Sequence, residues 1–195
     1  RWYLWLREDQ VAATRWYVDR VLESFRNANY KNLDLAGFYW VDEDIAYNGD
    51  LSLSVSEYIH SKNLLFYWIP YWKAVGYDKW RELGFDMAYL QPNHFFEENI
   101  PDSRLEEACK ESEKNGMAIE MEFDSRALSD YEPVSFRSRM KSYIDVFKDN
   151  GVFSDLPIAY YSGSRAIYEM YKSEDERDKE IMDELCELIV ERHKK

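Results

Sequence analysis

The chain has 195 residues, 46% of them hydrophobic, which is enough apolar material for a packed core and excludes a disordered protein. Its formal net charge of −13 argues against nucleic acid or an anionic membrane as a partner. No apolar run is long enough to span a bilayer, and two cysteines, Cys109 and Cys186, are too few for a disulfide scaffold.

Residues 1–7 (RWYLWLR) are aromatic and lack a clear period. No basic-then-apolar leader opens the chain, which reads as beginning inside a domain. Asp9 is placed to cap a helix running to about Asn29, with Val11, Trp16, Val18, Val21, Leu22 and Phe25 as its apolar face. A strand over 33–41 ends in Asp42-Glu43-Asp44. Asn48-Gly49-Asp50 is turn chemistry, and a short helix follows over 54–61. The second strand, 64–69, closes at Pro70-Tyr71-Trp72. A short helix over 78–83 stops at Gly84, and a third strand over 86–90 ends in Gln91-Pro92-Asn93-His94. Ser103 and Glu106 form a capping-box pattern opening a helix to Asn115.

The fourth strand, 117–123, organises the chain. Met117, Ile119, Met121 and Phe123 form one row, and Ala118, Glu120, Glu122 and Asp124 the other. That alternation marks a strand with two different faces. Helices on both sides of it in sequence imply a parallel sheet, so the charged row is expected to face a ligand cleft or a barrel interior. An edge strand with solvated carboxylates is the plainer alternative.

A helix over 135–149 presents Phe136, Met140, Tyr143, Ile144 and Phe147 on one face. The fifth strand, 156–161, leads into Ser162-Gly163-Ser164. A short helix from Arg165 and a longer one from about Glu174 complete the chain, the last burying Ile181, Leu185, Leu188 and Ile189. Both cysteines fall on amphipathic helices and are expected to stay unbonded.

The pattern is thus one helix and five strand–helix units, an α/β fold in a single domain spanning 1–195. All five strands end in polar or aromatic clusters on the carboxyl side, where parallel folds bind ligands. No glycine-rich phosphate loop follows a strand. A partial (β/α)8 barrel holding strands four to eight fits best, its partner being the missing N-terminal strands of the same barrel. An open five-stranded sheet is the fallback.

LAGFYWVDEDI (35–45), IPYW (69–72), GFDMAYLQPNHFF (84–96) and GMAIEMEFDSRAL (116–128) together resemble a family of uncharacterised bacterial (β/α)8-barrel proteins. Members of that family are often secreted. The resemblance implies a carbohydrate-directed barrel and no particular substrate.

Retaining glycoside hydrolases on this barrel use one carboxylate after strand four and another at the end of strand seven. In that register Glu43 is the acid/base candidate, with Asp42 and Asp44 as competitors, and Glu122 is the nucleophile candidate. Two carboxylates about 5–5.5 Å apart give retention, and about 6.5–9.5 Å gives inversion. Glu120, one layer deeper, would tune Glu122, since like charges raise a carboxyl pKa. Alternatively Glu43 is a solvated loop residue, and Glu120 makes a buried ion pair with an arginine or lysine.

Gln91 and Asn93 suit sugar hydroxyls, or else cap the Pro92 turn. His94, Asp124 and Tyr161 join them as substrate-binding candidates. Trp40, Trp68, Tyr71, Trp72, Tyr160 and Tyr161 are candidates for a stacking floor, or for core packing. The three histidines, His60, His94 and His193, are scattered without metal-ligand spacing, so no metal or cofactor is expected. A non-catalytic glycan-binding barrel is the alternative to a hydrolase.

Overall fold

A computed structural model of the protein describes residues 6–163 and 165–192. The readings on RWYLW (1–5), Ser164 and His193 lie outside the described residues. Five parallel strands alternate with helices, and the sheet order is β1-β2-β3-β4-β5. The expectation of parallel neighbours in sequence order is met. The chain forms two compact units, residues 1–88 and 89–195.

In the first unit, helix α1 spans Arg7–Ala28. It begins before Asp9, and its N-cap, Leu6, makes no side-chain cap. Glu8 and Asp9 instead occupy the first turn, where carboxylates meet the positive end of the helix dipole. Strand β1 is Gly37–Trp40, shorter than the apolar run around it. Helix α2, Gly49–His60, starts earlier than 54. Its first residues carry turn chemistry, but Leu51, Ser52, Val55, Ser56 and Ile59 recur at helical spacing and are buried, and that burial overrides the local signal.

Strand β2 is Leu65–Trp68 and strand β3 is Met87–Leu90. Between them the expected helix over 78–83 is only a 3-10 turn, Tyr77–Lys79. Phe85 stacks on Phe66 and Trp68, with ring centroids 4.6 and 5.0 Å apart. Gly84 has φ +90°, and a Cβ there would come within 2.5 Å of the Ser56 Oγ that bonds its carbonyl.

In the second unit, helix α3 spans Ser103–Asn115 and closes at Gly116 in the left-handed region, as its stop signal requires. The N-cap is Asp102 rather than Ser103, and it makes no side-chain cap, so the capping box does not form. Asp102 is engaged elsewhere, as described below. Strand β4 is Ala118–Phe123, buried along its whole length. Helix α4 is Arg137–Asp149 and buries Met140, Tyr143, Ile144 and Phe147. A short helix α5, Val152–Asp155, precedes strand β5, Ile158–Ser162. Helices α6, Ala166–Lys172, and α7, Glu176–Arg192, follow. Both cysteines are free.

The strand registers assign faces, because bridged partners in a parallel pair point the same way and alternate along each strand. Leu90, Ile119 and Ile158 share a face, followed along it by Met121 with Tyr160 and by Phe123 with Ser162. The other face carries Tyr89 and Ala118, then Glu120 beside Ala159 and Glu122 beside Tyr161. The two rows expected for β4 are therefore present, with Ile119, Met121 and Phe123 fully buried.

Candidate functional site

Glu122 and Glu120 stand on one face of β4, two residues and therefore about 7 Å apart along the strand. They are only 2% and 5% exposed. A carboxylate this deep needs a donor. For Glu122 one comes from α4: the Tyr143 hydroxyl donates to Glu122 Oε2 at 2.7 Å. The sequence offered an Arg or Lys only as an alternative partner for Glu120, and placed Tyr143 simply on an apolar helix face. A tyrosine among Met140, Ile144 and Phe147 was the available signal, since a buried phenol must find a partner.

The main-chain N–H of His94 donates to the same Tyr143 oxygen. Burial, followed by the Glu122 charge and hydrogen bond, pushes the Tyr143 hydroxyl well above its ordinary value, so it remains a donor. The His94 ring meets the Tyr143 ring edge-on at 5.4 Å. His94 is fully buried, and its Nε2 lies 2.7 Å from Asp102 Oδ1. Burial, and then the Arg139 charge, lower its pKa, with Asp102 opposing. Asp102 also accepts from Ser142 Oγ at 2.7 Å. Burial alone would raise its carboxyl, but the bonds from Ser142 and His94 outweigh that and hold it low.

Arg139 fixes the segment after β3. Its guanidinium donates to the carbonyls of Phe95 (3.2 Å), Glu97 (2.9 Å) and Ile100 (3.0 Å), and to that of His94. At the start of this segment Asn93 has φ +50° and its amide donates to Gln91 Oε1 at 3.3 Å. Gln91 is buried. Asp124, at the end of the polar row, is held by a two-pronged bond with Arg126, whose guanidinium also lies over the rings of Phe95, Phe96 and Phe136. Tyr161 is 51% exposed on the Glu122 face, with its ring edge against Phe96. Tyr160 points to the opposite face.

The other candidates belong to the first unit. Glu43 is exposed, in a loop around a cleft of about 540 Å³ lined also by Asp42, Asp44, Asn48 and Tyr71. Asp44 organises this loop. It accepts from the N–H groups of Val75 (3.0 Å) and Ala46 (2.7 Å) and from the Tyr71 hydroxyl (2.7 Å), which together lower its pKa. Asp42 accepts from the Asn48 amide at 3.0 Å. Trp68 is fully buried, and its indole donates to the Asp42 carbonyl at 2.7 Å, so it packs as a core residue. Trp40 is half-buried beside Val18, Val55, Ile59 and Phe66, under α1 and α2. Trp72 has the Lys73 ammonium over its ring at 5.3 Å.

Among the described residues, no group of three His, Cys, Asp or Glu side chains is arranged to hold a metal ion. No helix among them is long and apolar enough to cross a membrane. The structure thus gathers Glu120, Glu122, Gln91, Asn93, His94, Asp124 and Tyr161 in the second unit, together with Tyr143, Asp102 and Arg139. Glu43, Tyr71, Trp40 and Trp68 are in the first.

No curated protein matches the chain. One family model does, over residues 6–187, and its description is a domain of unknown function, DUF4855. That match covers nearly all of the sequence, and the chain belongs to the DUF4855 family.

Proposed function

We propose that the chain is a glycoside hydrolase-like domain acting on an oligo- or polysaccharide, with Glu122 as its nucleophile. The observation that carries this reading is the buried carboxylate row of β4, with Glu122 held at 2.7 Å by Tyr143 and flanked on its own face by the exposed ring of Tyr161. Carboxylates are costly to bury, and a pair on the same face near the carboxyl end of a parallel strand suits acid–base or nucleophilic work. Gln91 and Asn93 supply amides for sugar hydroxyls, and Tyr161 an apolar ring for a sugar face.

In the displacement, a Glu122 carboxylate oxygen bonds to the anomeric carbon as the glycosidic C–O bond breaks. The leaving oxygen takes a proton from a carboxylic acid, and water later releases the sugar. Glu43 is the acid in the strand-four-to-eight register. That pairing and the barrel numbering rest on sequence order alone. The proposed partners are the carbohydrate and further strands of the same barrel.

The test is hydrolysis of a glycan panel by the protein and by Glu122→Gln and Glu43→Gln variants. Cleavage that either substitution lowers by about 10³-fold or more fits the two-carboxylate scheme. Cleavage untouched by Glu122→Gln rejects it. The exposed face of Tyr161 also favours a second reading, a glycan-binding domain without cleavage. Binding by the unaltered protein with no product, and weakened by Tyr161→Ala, selects that one.

A further inference from the structure

We propose that Tyr143 is the positioning residue for Glu122, holding the carboxylate in one orientation by donating its hydroxyl proton to Oε2. The inference rests on the glycosidase reading. Three features set this tyrosine apart from a packing residue. The hydroxyl is fully buried and has a partner on each side: it accepts from the His94 main chain and donates to Glu122. The segment carrying that His94 N–H is itself pinned, through Arg139 on its carbonyls and through Asp102 on the His94 ring. Finally, Glu120 stands on the same face as Glu122 and adds a like charge there.

A donor aimed at a buried carboxylate favours its ionised form, the form a nucleophile needs. The charged and titratable groups around the Tyr143–Glu122 pair are Glu120 on β4, His94 and Arg139 from the segment after β3 and from α4, and Asp102 at the start of α3. Removing the hydroxyl leaves these in place. Activity then fails at a higher pH, because Glu122 is protonated sooner on acidification.

The experiment is the pH–rate profile of a Tyr143→Phe variant against the unaltered protein on a glycan it cleaves. The acid limb is expected to move up by about one to two pH units. A variant with lowered stability and an unmoved limb overturns the proposal, since a packing role alone gives that result. If the unaltered protein cleaves nothing, the glycosidase reading has failed, and the Glu122 carboxyl is followed instead by carbon-13 NMR, assigned with Glu122→Gln. The same upward move in its titration supports the role of Tyr143, and an unmoved resonance overturns it. Should Tyr143→Phe not fold, 3-fluorotyrosine installed at position 143 keeps the ring and strengthens the donor. The limb or the carboxyl titration is then expected to move down, and no movement overturns the proposal.

Discussion

His94 Nε2 lies 2.7 Å from Asp102 Oδ1, joining a fully buried imidazole to an exposed carboxylate eight residues on. Burial and the Arg139 charge keep the imidazole below its ordinary pKa of about 6.5. In that window the unfolded chain binds more protons than the folded one, so stability falls as pH drops below about 6.5. Asp102, whose carboxyl is held low, contributes a second loss only at pH below about 3.8. Denaturant midpoints at pH 7.5 and 5 measure the first effect. A His94→Gln variant is expected to lose about 1–3 kcal/mol at pH 7.5, from the broken buried bond, and to show a flatter change between the two pH values.

Asp178 on α7 has no solvent exposure, yet it serves three hydrogen bonds. It accepts from the Ser129 N–H (2.9 Å) and hydroxyl (2.7 Å) and from Ser173 Oγ (2.7 Å), with Arg137 Nη1 at 3.6 Å. Asp178→Ala strands these groups and is expected to destabilise the protein by about 3–5 kcal/mol. Asp178→Asn, which keeps one acceptor oxygen, is expected to cost less. Thermal unfolding of the two variants measures the order.

The two cysteines are expected to differ in reactivity. Burial, then Glu106, pushes the Cys109 thiol up to about 12, whereas Cys186 is exposed. Only the thiolate attacks an alkylating reagent. At pH 8, iodoacetamide is expected to modify Cys186 in the folded protein, and Cys109 only after denaturant is added. Peptide mass mapping reads both sites.

Gly84→Ala combines a positive φ with a Cβ 2.5 Å from Ser56 Oγ. It is expected to cost about 1–3 kcal/mol, by strain and by displacing the Ser56 bond to the Gly84 carbonyl. Adding Ser56→Ala to it is expected to cost less than the sum of the two single changes, and a double-mutant cycle in denaturant tests that coupling.

Periodicity made β4 legible because its residue types alternate, apolar against acidic, even though every position is buried. Gly116 was equally clear as the stop of α3, at a positive φ; Gly84 also takes a positive φ, but the helix that it was read to close is absent. The start of α2 was not legible: its Asn48-Gly49-Asp50 opening is locally a turn, and only burial of Leu51 and Ser52 makes it helical. The 78–83 segment carries helix-like residues and a glycine stop, yet only Tyr77–Lys79 winds, as a 3-10 turn. Within the candidate site, the alternation of Glu120 and Glu122 can be read directly. The groups that hold that site together lie on other elements, the Tyr143 donor on α4 and the Asp102 acceptor before α3, and no local pattern links residues 21 apart in sequence.

Arg139 addresses the segment after β3 through main-chain oxygens alone, those of His94, Phe95, Glu97 and Ile100. Every residue type offers such an oxygen. At its exposed positions, 97–99, the path of this segment therefore does not depend on which side chains stand there, so long as Arg139, the Asn93 turn and the buried Phe95 remain. Divergence within the family is free to rewrite the outward surface of this loop one position at a time, while the buried frame beneath it keeps its shape.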